Sequence, residues 1–293
     1  MSDRIHHING KSILLHEPYC ASNPFDGELV GRDQELRLIH SAWLSRAGRP
    51  PYAPLLIGEP GVGKNRIVYE LARTFDQELY ILQGHEDVTA DDLACVARPS
   101  DDPKRKIDYI LSPLGTAMIR GGICFIDEVG KLRARALAPL ASVLDDRRYL
   151  DSTLLGERIH AHEKFRFVAA TNSSDMVADM LPDFILKRMR PVVRIGPASR
   201  QELQTIIAQH YDHAAGDGEV LTRFWDLWRR HKPDALPSPR DAINIFGIAA
   251  NFAAAEHFPS PGILQVTGSD PNVGVEPRHL EAVFAQMVDE LVD

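Results

Sequence analysis

Gly58-Glu59-Pro60-Gly61-Val62-Gly63-Lys64-Asn65 decides how this 293-residue chain is read. The stretch follows an apolar run, Ala53–Ile57, and precedes a segment whose apolar residues Ile67, Val68, Leu71, Ala72 and Phe75 share one helical face. A glycine-rich turn between a strand and a helix lets successive backbone N–H groups curl around a polyphosphate. The helix N-terminus adds positive potential there, and Lys64 reaches the terminal phosphates. Gly58, Glu59, Pro60, Gly61, Val62, Gly63, Lys64 and Asn65 are therefore the expected nucleotide-binding residues, with ATP as the nucleotide. Position 65 usually carries a Ser or Thr whose hydroxyl holds Mg²⁺; here it is Asn65.

Outward from this loop, five short apolar runs, Ala53–Ile57, Leu79–Gln83, Ile123–Asp127, Phe165–Thr171 and Pro191–Ile195, alternate with helical stretches near 64–75, 113–120, 134–144 and 184–189. Nearly continuous apolar strands alternating with helices predict an α/β fold, a five-stranded parallel sheet covered on both faces. Pro139 limits the helix near 134–144. Val96–Asp108 is a polar, turn-rich insertion, and Tyr149–Lys164 reads as a hairpin turning near Gly156. Residues 1–29 read as an extension with short strands at 5–8 and 12–15, and a helix follows from Asp33 to about Arg46. After Pro197 the pattern is helical, over 199–213, 220–230, 240–257 and 277–292, with a Gly/Pro/Ser-rich stretch at 258–275. The expected domains are an extension (1–29), a nucleotide-binding core (30–196) and a helical lid (197–293).

The run Ile123-Cys124-Phe125-Ile126-Asp127-Glu128 is a buried strand ending in two acids. Such a strand delivers Asp127 beside the loop to hold Mg²⁺, and Glu128 toward the γ-phosphate to polarise the attacking water. Parallel strands end at one edge of the sheet, so Asn172, closing Phe165–Thr171, reaches the same place. Arg188, before the last strand, and Arg240, opening a helix after Pro237-Ser238-Pro239, suit the charge that develops in phosphoryl transfer. Arg190 competes with Arg188 for that role. His160 and His162 read as a polar hairpin arm, His210 and His213 as a solvated face. Phe224, Trp225 and Trp228, at helical spacing, read as core.

Taken in this order, the elements resemble the AAA+ ATPases over roughly residues 29–250, with Leu29-Val30-Gly31-Arg32 similar to the family's segment beside the adenine. Two insertions, one before the Asp-Glu strand and one before Phe165–Thr171, resemble the MoxR-like branch. Gly84–Leu93, Ser112-Pro113-Leu114, Gly121–Cys124, Leu144–Arg148 and Ile159–Phe165 are similar to the NorQ/CbbQ subgroup. Asn65, Ala94-Cys95, Met189 and a longer helical tail depart from the subgroup. The resemblance implies Val30 and Gly31 at the adenine, Arg188 as a finger supplied to a neighbour's site, Arg240 as a sensor on the lid, and a ring, most often a hexamer. It also implies a client protein or metalloenzyme, reached in many cases through a partner with a von Willebrand A domain.

Composition narrows the classes. Charged residues make up 25% and aromatics 7%, ordinary for a soluble protein. No apolar run approaches ~18 residues, so no membrane span is expected. Three cysteines without paired spacing and a polar N-terminus fit a reducing cytoplasm. The net charge of −8 resides in the C-terminal third: from Pro197 onward there are 7 basic and 14 acidic residues, against 26 and 27 before it. That balance disfavours a motor on nucleic acid. An ATP-driven remodeller of another protein is the expected function. The alternative is a nucleotide-gated assembly module that binds ATP and hydrolyses it weakly because of Asn65.

Overall fold

The computed structural model describes residues 4–19, 27–44, 49–100, 103, 105–173, 181–211, 218–255 and 274–286. The chain divides into two compact units, one comprising Met1–Ser22, Arg32–Glu59 and Lys64–Ile195, the other Asn23–Gly31, Pro60–Gly63 and Gly196–Asp293.

The first unit is built on a parallel sheet of five strands: β3 (Leu55–Ile57), β4 (Leu79–Gln83), β7 (Ile123–Asp127), β10 (Arg166–Thr171) and β11 (Val192–Arg194). Their order is β11-β3-β10-β7-β4, and every neighbouring pair is parallel. Leu55, Leu56, Ile123, Cys124, Phe125, Ile126, Val168, Ala169 and Ala170 are sealed from solvent, as a sheet covered on both faces requires. Helices α1 (Asp33–Trp43), α2 (Lys64–Phe75), α3 (Pro113–Arg120), α4 (Leu140–Val143) and α5 (Asp183–Leu186) belong to this unit. α2 buries Ile67, Val68 and Leu71. Trp43 of α1 stands edge-on to Phe75 and donates its indole N–H to the Phe167 carbonyl at 3.2 Å, which leaves its polar atom satisfied in the core.

The helix expected over 134–144 is one turn, α4, with 134–139 in turns. Pro139 is its N-cap; lacking an N–H and crowding the preceding turn, proline begins this helix instead of lying within it. α1 ends at Trp43 with Leu44 extended, and residues 45–46 of the expected helix lie outside the described residues. So do residues 212–213, 256–257 and 287–292 of the C-terminal helices, most of the stretch 258–275, Cys20 and His213.

A second sheet gathers segments far apart in sequence. β1 (Ile5–Ile8) and β2 (Lys11–Leu14) form an antiparallel hairpin, as do β5 (Cys95–Pro99) and β6 (Ile107–Leu111). β2 pairs parallel with β6 through Leu14 and Ile110, giving the order β1-β2-β6-β5. The polar insertion is thus a hairpin, and the N-terminal segment completes its sheet. Ile13 and Leu15 enter the main core, and the His16 N–H donates to Thr116 Oγ1 at 3.0 Å. A third hairpin, β8 (Tyr149–Ser152) and β9 (Glu157–His160), turns through Gly156 at φ +66°. Asn9 and Lys11 bond Glu157 across this turn at 2.6 and 3.0 Å.

The second unit has its own core. α6 (Arg200–His210), α7 (Gly218–His231), α8 (Pro239–Ala255) and α9 (Pro277–Gln286) surround Leu203, Ile207, Phe224, Trp225, Trp228, Ile245, Phe246, Leu280, Val283 and Phe284. Phe224 meets Trp225, Phe246 and Phe284 at ring separations of 5.0, 5.1 and 6.2 Å, so the aromatic cluster of α7 is core. α6 starts at a reciprocal cap: Glu202 N–H donates to Ser199 Oγ and Ser199 N–H to Glu202 Oε2, satisfying two amides the helix leaves open.

Candidate functional site

Register in the parallel sheet sets the site. Thr171 and Arg194 lie level with Ile57, and Gln83 with Asp127. The loop after β3, Asn172 after β10 and Glu128 after β7 consequently leave the sheet at one edge.

Gly61 and Gly63 take φ of +80° and +99°, a region where a β-carbon is strained, and α2 begins at Lys64. Lys64 is 8% exposed. Its ammonium donates to the Gly58 carbonyl at 2.7 Å, the Glu59 carbonyl at 3.1 Å and Asn172 Oδ1 at 2.8 Å. The residue expected on the terminal phosphates and the one expected beyond them are therefore in direct contact. Ser173 donates to Glu59 Oε1, tying the end of β10 to the loop a second time.

Asn65 Nδ2 donates to Asp127 Oδ2 at 3.0 Å, and Asp127 Oδ1 accepts from the Glu128 N–H at 2.9 Å. Among the described residues, no hydrogen bond is made to Asn65 Oδ1. An amide can thus do here what a hydroxyl does: donate to the acid and leave an oxygen lone pair over. One neutral oxygen and one carboxylate form a hard donor set, which suits Mg²⁺, an ion that takes one or two protein oxygens and completes its shell with phosphate and water. Asn65 and Asp127 would hold it.

Glu128 takes φ +53°, ψ +42°, an uncommon conformation for a residue with a side chain. Its carboxylate accepts from Gln83 Nε2 at 2.9 Å and pairs with Lys131 Nζ at 2.7 Å. Neither Gln83 nor Lys131 stood out in the sequence. The signal for Gln83 was available: it ends an apolar strand of the same parallel sheet, which is the logic that singled out Asn172.

Arg188 follows α5; it donates to the Phe184 carbonyl at 2.7 Å and has Asp145 3.7 Å away. Its side chain is 34% exposed, and Arg190 is exposed as well. Val30 and Gly31 belong to the second unit, Gly31 at φ +68°. A β-carbon on Gly31 would be strained at this φ and would displace the Glu202 carboxylate. Arg240 is exposed in the first turn of α8. Within the same unit, a β-carbon on Gly61 would meet Ser238 Oγ at 2.6 Å and the Arg240 β-carbon at 3.0 Å; this stretch of the glycine-rich turn therefore lies against the start of α8.

His160 and His162 belong to the hairpin arm. His160 stands 6.3 Å from the Tyr149 ring, and His162 Nδ1 accepts from the Lys164 N–H. Among the described residues no cluster of three or more His, Cys, Asp or Glu could hold a metal ion, and no described helix is long and apolar enough to cross a membrane. Burial raises the thiol pKa of Cys95, to about 11, and that of Cys124, which keeps both protonated.

Residues 54–189 match the family model of the AAA domain, dynein-related subfamily. The chain is 30% identical over 188 residues to the denitrification regulatory protein NirQ of Pseudomonas aeruginosa, covering 64% of this chain and 62% of that protein. It is 31% identical over 173 residues to NorQ of Paracoccus denitrificans (58% and 56% covered) and 33% over 118 residues to CbbQ of Hydrogenophilus thermoluteolus (40% and 43%). The chain thus spans about three fifths of the length of the first curated relatives it matches. Among solved structures, NtrX of Brucella abortus in complex with ADP superposes with a TM-score of 0.57 at 14% identity, covering 88% of this chain and 55% of that one. The RuvB Holliday junction branch migration motor of Thermotoga maritima superposes with a TM-score of 0.55 at 17% identity, covering 87% and 69%. At these identities the two structures share the fold.

Proposed function

We propose that this chain, whose residues 54–189 match the AAA domain and which is similar to NirQ, NorQ and CbbQ, is a MoxR-like AAA+ ATPase that hydrolyses ATP with Mg²⁺ and uses the energy to remodel or activate a partner protein. The observation that supports this best is the convergence of Lys64 on Asn172 at the same sheet edge as the Asn65–Asp127 pair and Glu128.

In this reading the amides of Gly58–Asn65 and the Lys64 ammonium bind the β- and γ-phosphates, and Lys64 exchanges its contacts with the Gly58 and Glu59 carbonyls for phosphate oxygens. Bound Mg²⁺ would offset phosphate charge. Glu128 takes a proton from the attacking water, and Asn172 orients that water or the γ-phosphate. Val30 and Gly31 flank the adenine. Arg240 senses the phosphates from the helical domain. Arg188 serves a neighbouring subunit's site, for which its partly exposed guanidinium is suited. A residue supplied to the next subunit implies a head-to-tail ring, with six subunits the expected number. The client is a protein complex or metalloenzyme in a reducing cytoplasm, engaged directly or through a von Willebrand A domain partner.

Lys64→Ala tests the site. No other cation in the loop can replace its phosphate contact, so the variant should show no nucleotide binding by calorimetry. Unchanged ATP affinity would remove the assignment. The second reading, a nucleotide-gated assembly module with weak turnover, is favoured by Asn65 alone. It predicts ATP-dependent assembly with a turnover rate that no partner raises.

A further inference from the structure

We propose that Asp145 is a positioning residue for Arg188: held in place by Arg147, its carboxylate sets the plane of the guanidinium that a neighbouring subunit's site would receive. The inference rests on the trans role proposed above for Arg188.

The two residues come from separate elements. Asp145 lies just beyond α4 and Arg188 just beyond α5, and both short helices are rooted in the main core, through Val143 and Ile185. An arginine side chain carries about 2 kcal/mol of rotamer entropy, so a guanidinium at a subunit surface points many ways unless its own chain restrains it. In Arg188 the Nε is sealed from solvent and has no hydrogen-bond partner, so packing alone holds the inner end of the group. One terminal nitrogen donates to the Phe184 carbonyl at 2.7 Å. The other stands 3.7 Å from Asp145 Oδ2, too far for a hydrogen bond and close enough for an ion pair. A guanidinium is planar. One bond leaves that plane free to swing about the contact; an opposite charge beside the second nitrogen removes the freedom.

A carboxylate can direct an arginine only if it is fixed itself, and Asp145 is. The Arg147 backbone N–H donates to Oδ1 at 3.0 Å. The Arg147 side chain spans both oxygens, with Nε 3.1 Å from each and a terminal nitrogen 2.7 Å from Oδ2. Arg147 in turn lies over the Tyr149 ring, 5.4 Å from its centroid, and donates to the Tyr149 hydroxyl at 3.3 Å. Oδ2 therefore serves two guanidinium groups, Arg147 through a hydrogen bond and Arg188 through charge. Were Asp145 only a partner for Arg147, its loss would be felt equally with and without Arg188. A positioning role predicts otherwise.

The test is a cycle of four proteins, unaltered chain, Asp145→Asn, Arg188→Ala and the double variant, compared by kcat for ATP and by affinity for ADP. Asp145→Asn keeps the size of the side chain and removes its charge. It should lower kcat about tenfold, as a misplaced reacting group does, and leave ADP affinity within about twofold. In the Arg188→Ala background it should cost nothing further. Mixed with Glu128→Gln subunits under conditions of exchange, Asp145→Asn should regain turnover as Arg188→Ala does, because each impairs what a subunit gives its neighbour and leaves its own site intact. Should Asp145→Asn not fold, Arg147→Gln, at an exposed residue, carries the same test with a smaller loss confined to the Arg188 background. An equal loss in both backgrounds, no loss in the first, or no regain where Arg188→Ala regains overturns the proposal. Unchanged turnover in Arg188→Ala itself is a different result: the trans role then falls first, and the proposal with it.

Discussion

At residue 65 a single substitution changes the chemistry available to the site. The amide makes the same bond to Asp127 that a hydroxyl can make, but its oxygen stands farther from the main chain. Asn65 would therefore not place an ion where a hydroxyl would, and Mg²⁺ is exacting about where its ligands stand. Hydrolysis, for which the ion would supply charge neutralisation, should suffer more than binding to Lys64 and the backbone. Asn65→Thr is expected to raise kcat and to lower the Mg²⁺ concentration giving half-maximal rate; a brisk ATPase indifferent to the substitution would refute this. Glu128→Gln should bind ATP as the unaltered chain does and turn over at least a hundredfold more slowly, the usual scale for losing a general base. Unaffected turnover would mean that Glu128, held by Gln83 and Lys131, is never released to the water.

Among the elements, α3 offers a direct measure of how the β5–β6 hairpin is fastened. Ser112 is buried; its hydroxyl accepts from the Gly115 N–H at 2.9 Å and donates to the Leu93 carbonyl at 2.6 Å, just before β5. Ser112→Ala removes a cap and leaves a buried carbonyl unpaired, a loss of about 2 kcal/mol readable as a lower urea midpoint at unchanged slope. A midpoint identical to that of the parent would show the cap to be idle. Glu78, at the foot of β4, is held below the ordinary carboxylate range first by the Arg120 guanidinium and also by Tyr80. Its folded pKa is depressed, so the stabilisation is complete above the ordinary Glu value and disappears as pH falls through the folded one. Glu78→Gln should therefore cost stability at pH 7, by less than about 1 kcal/mol for a pair this exposed, and progressively less as pH falls through the folded pKa. A penalty that persists in acid would assign it to packing.

These elements also show what the sequence could and could not disclose. The strands of the parallel sheet were legible because burial on both faces demands uninterrupted apolar residues, and Ile123–Ile126 are all sealed. That the loop, the acidic pair and Asn172 leave the sheet together was legible because parallel strands share an edge. The mixed sheet was not. β5 is exposed at four of its five residues and so carries no apolar alternation, and the β2–β6 pairing joins segments that no local pattern connects. Gln83 was missed for a related reason: it donates to Glu128 at the neighbouring strand's end, and only the fold brings donor and acceptor together.

For the whole molecule, the trans role proposed for Arg188 makes a prediction that no isolated subunit can satisfy. Arg188→Ala and Glu128→Gln should each depress turnover. Mixed under conditions that allow exchange, they should recover part of it, because some interfaces then combine an intact Glu128 with a neighbour's intact Arg188. Absence of recovery, with exchange verified by energy transfer between labelled subunits, would return Arg188 to the partners it has in its own chain, Phe184 and Asp145.

The hairpin at the beginning of the chain bears on how the protein is made. Leu14 finds its sheet partner only at Ile110, and a lone two-stranded hairpin is marginal in water. During translation, β1 and β2 emerge before β6 and must wait as a lone hairpin until β6 has left the ribosome, with Ile13 still lacking the core it will enter. The hairpin is thus secured only once a strand far later in the chain has been made, as the pairing of Leu14 with Ile110 requires, and pulse-labelling hydrogen exchange on nascent chains should find protection at Ile13 only after Leu111 has been synthesised.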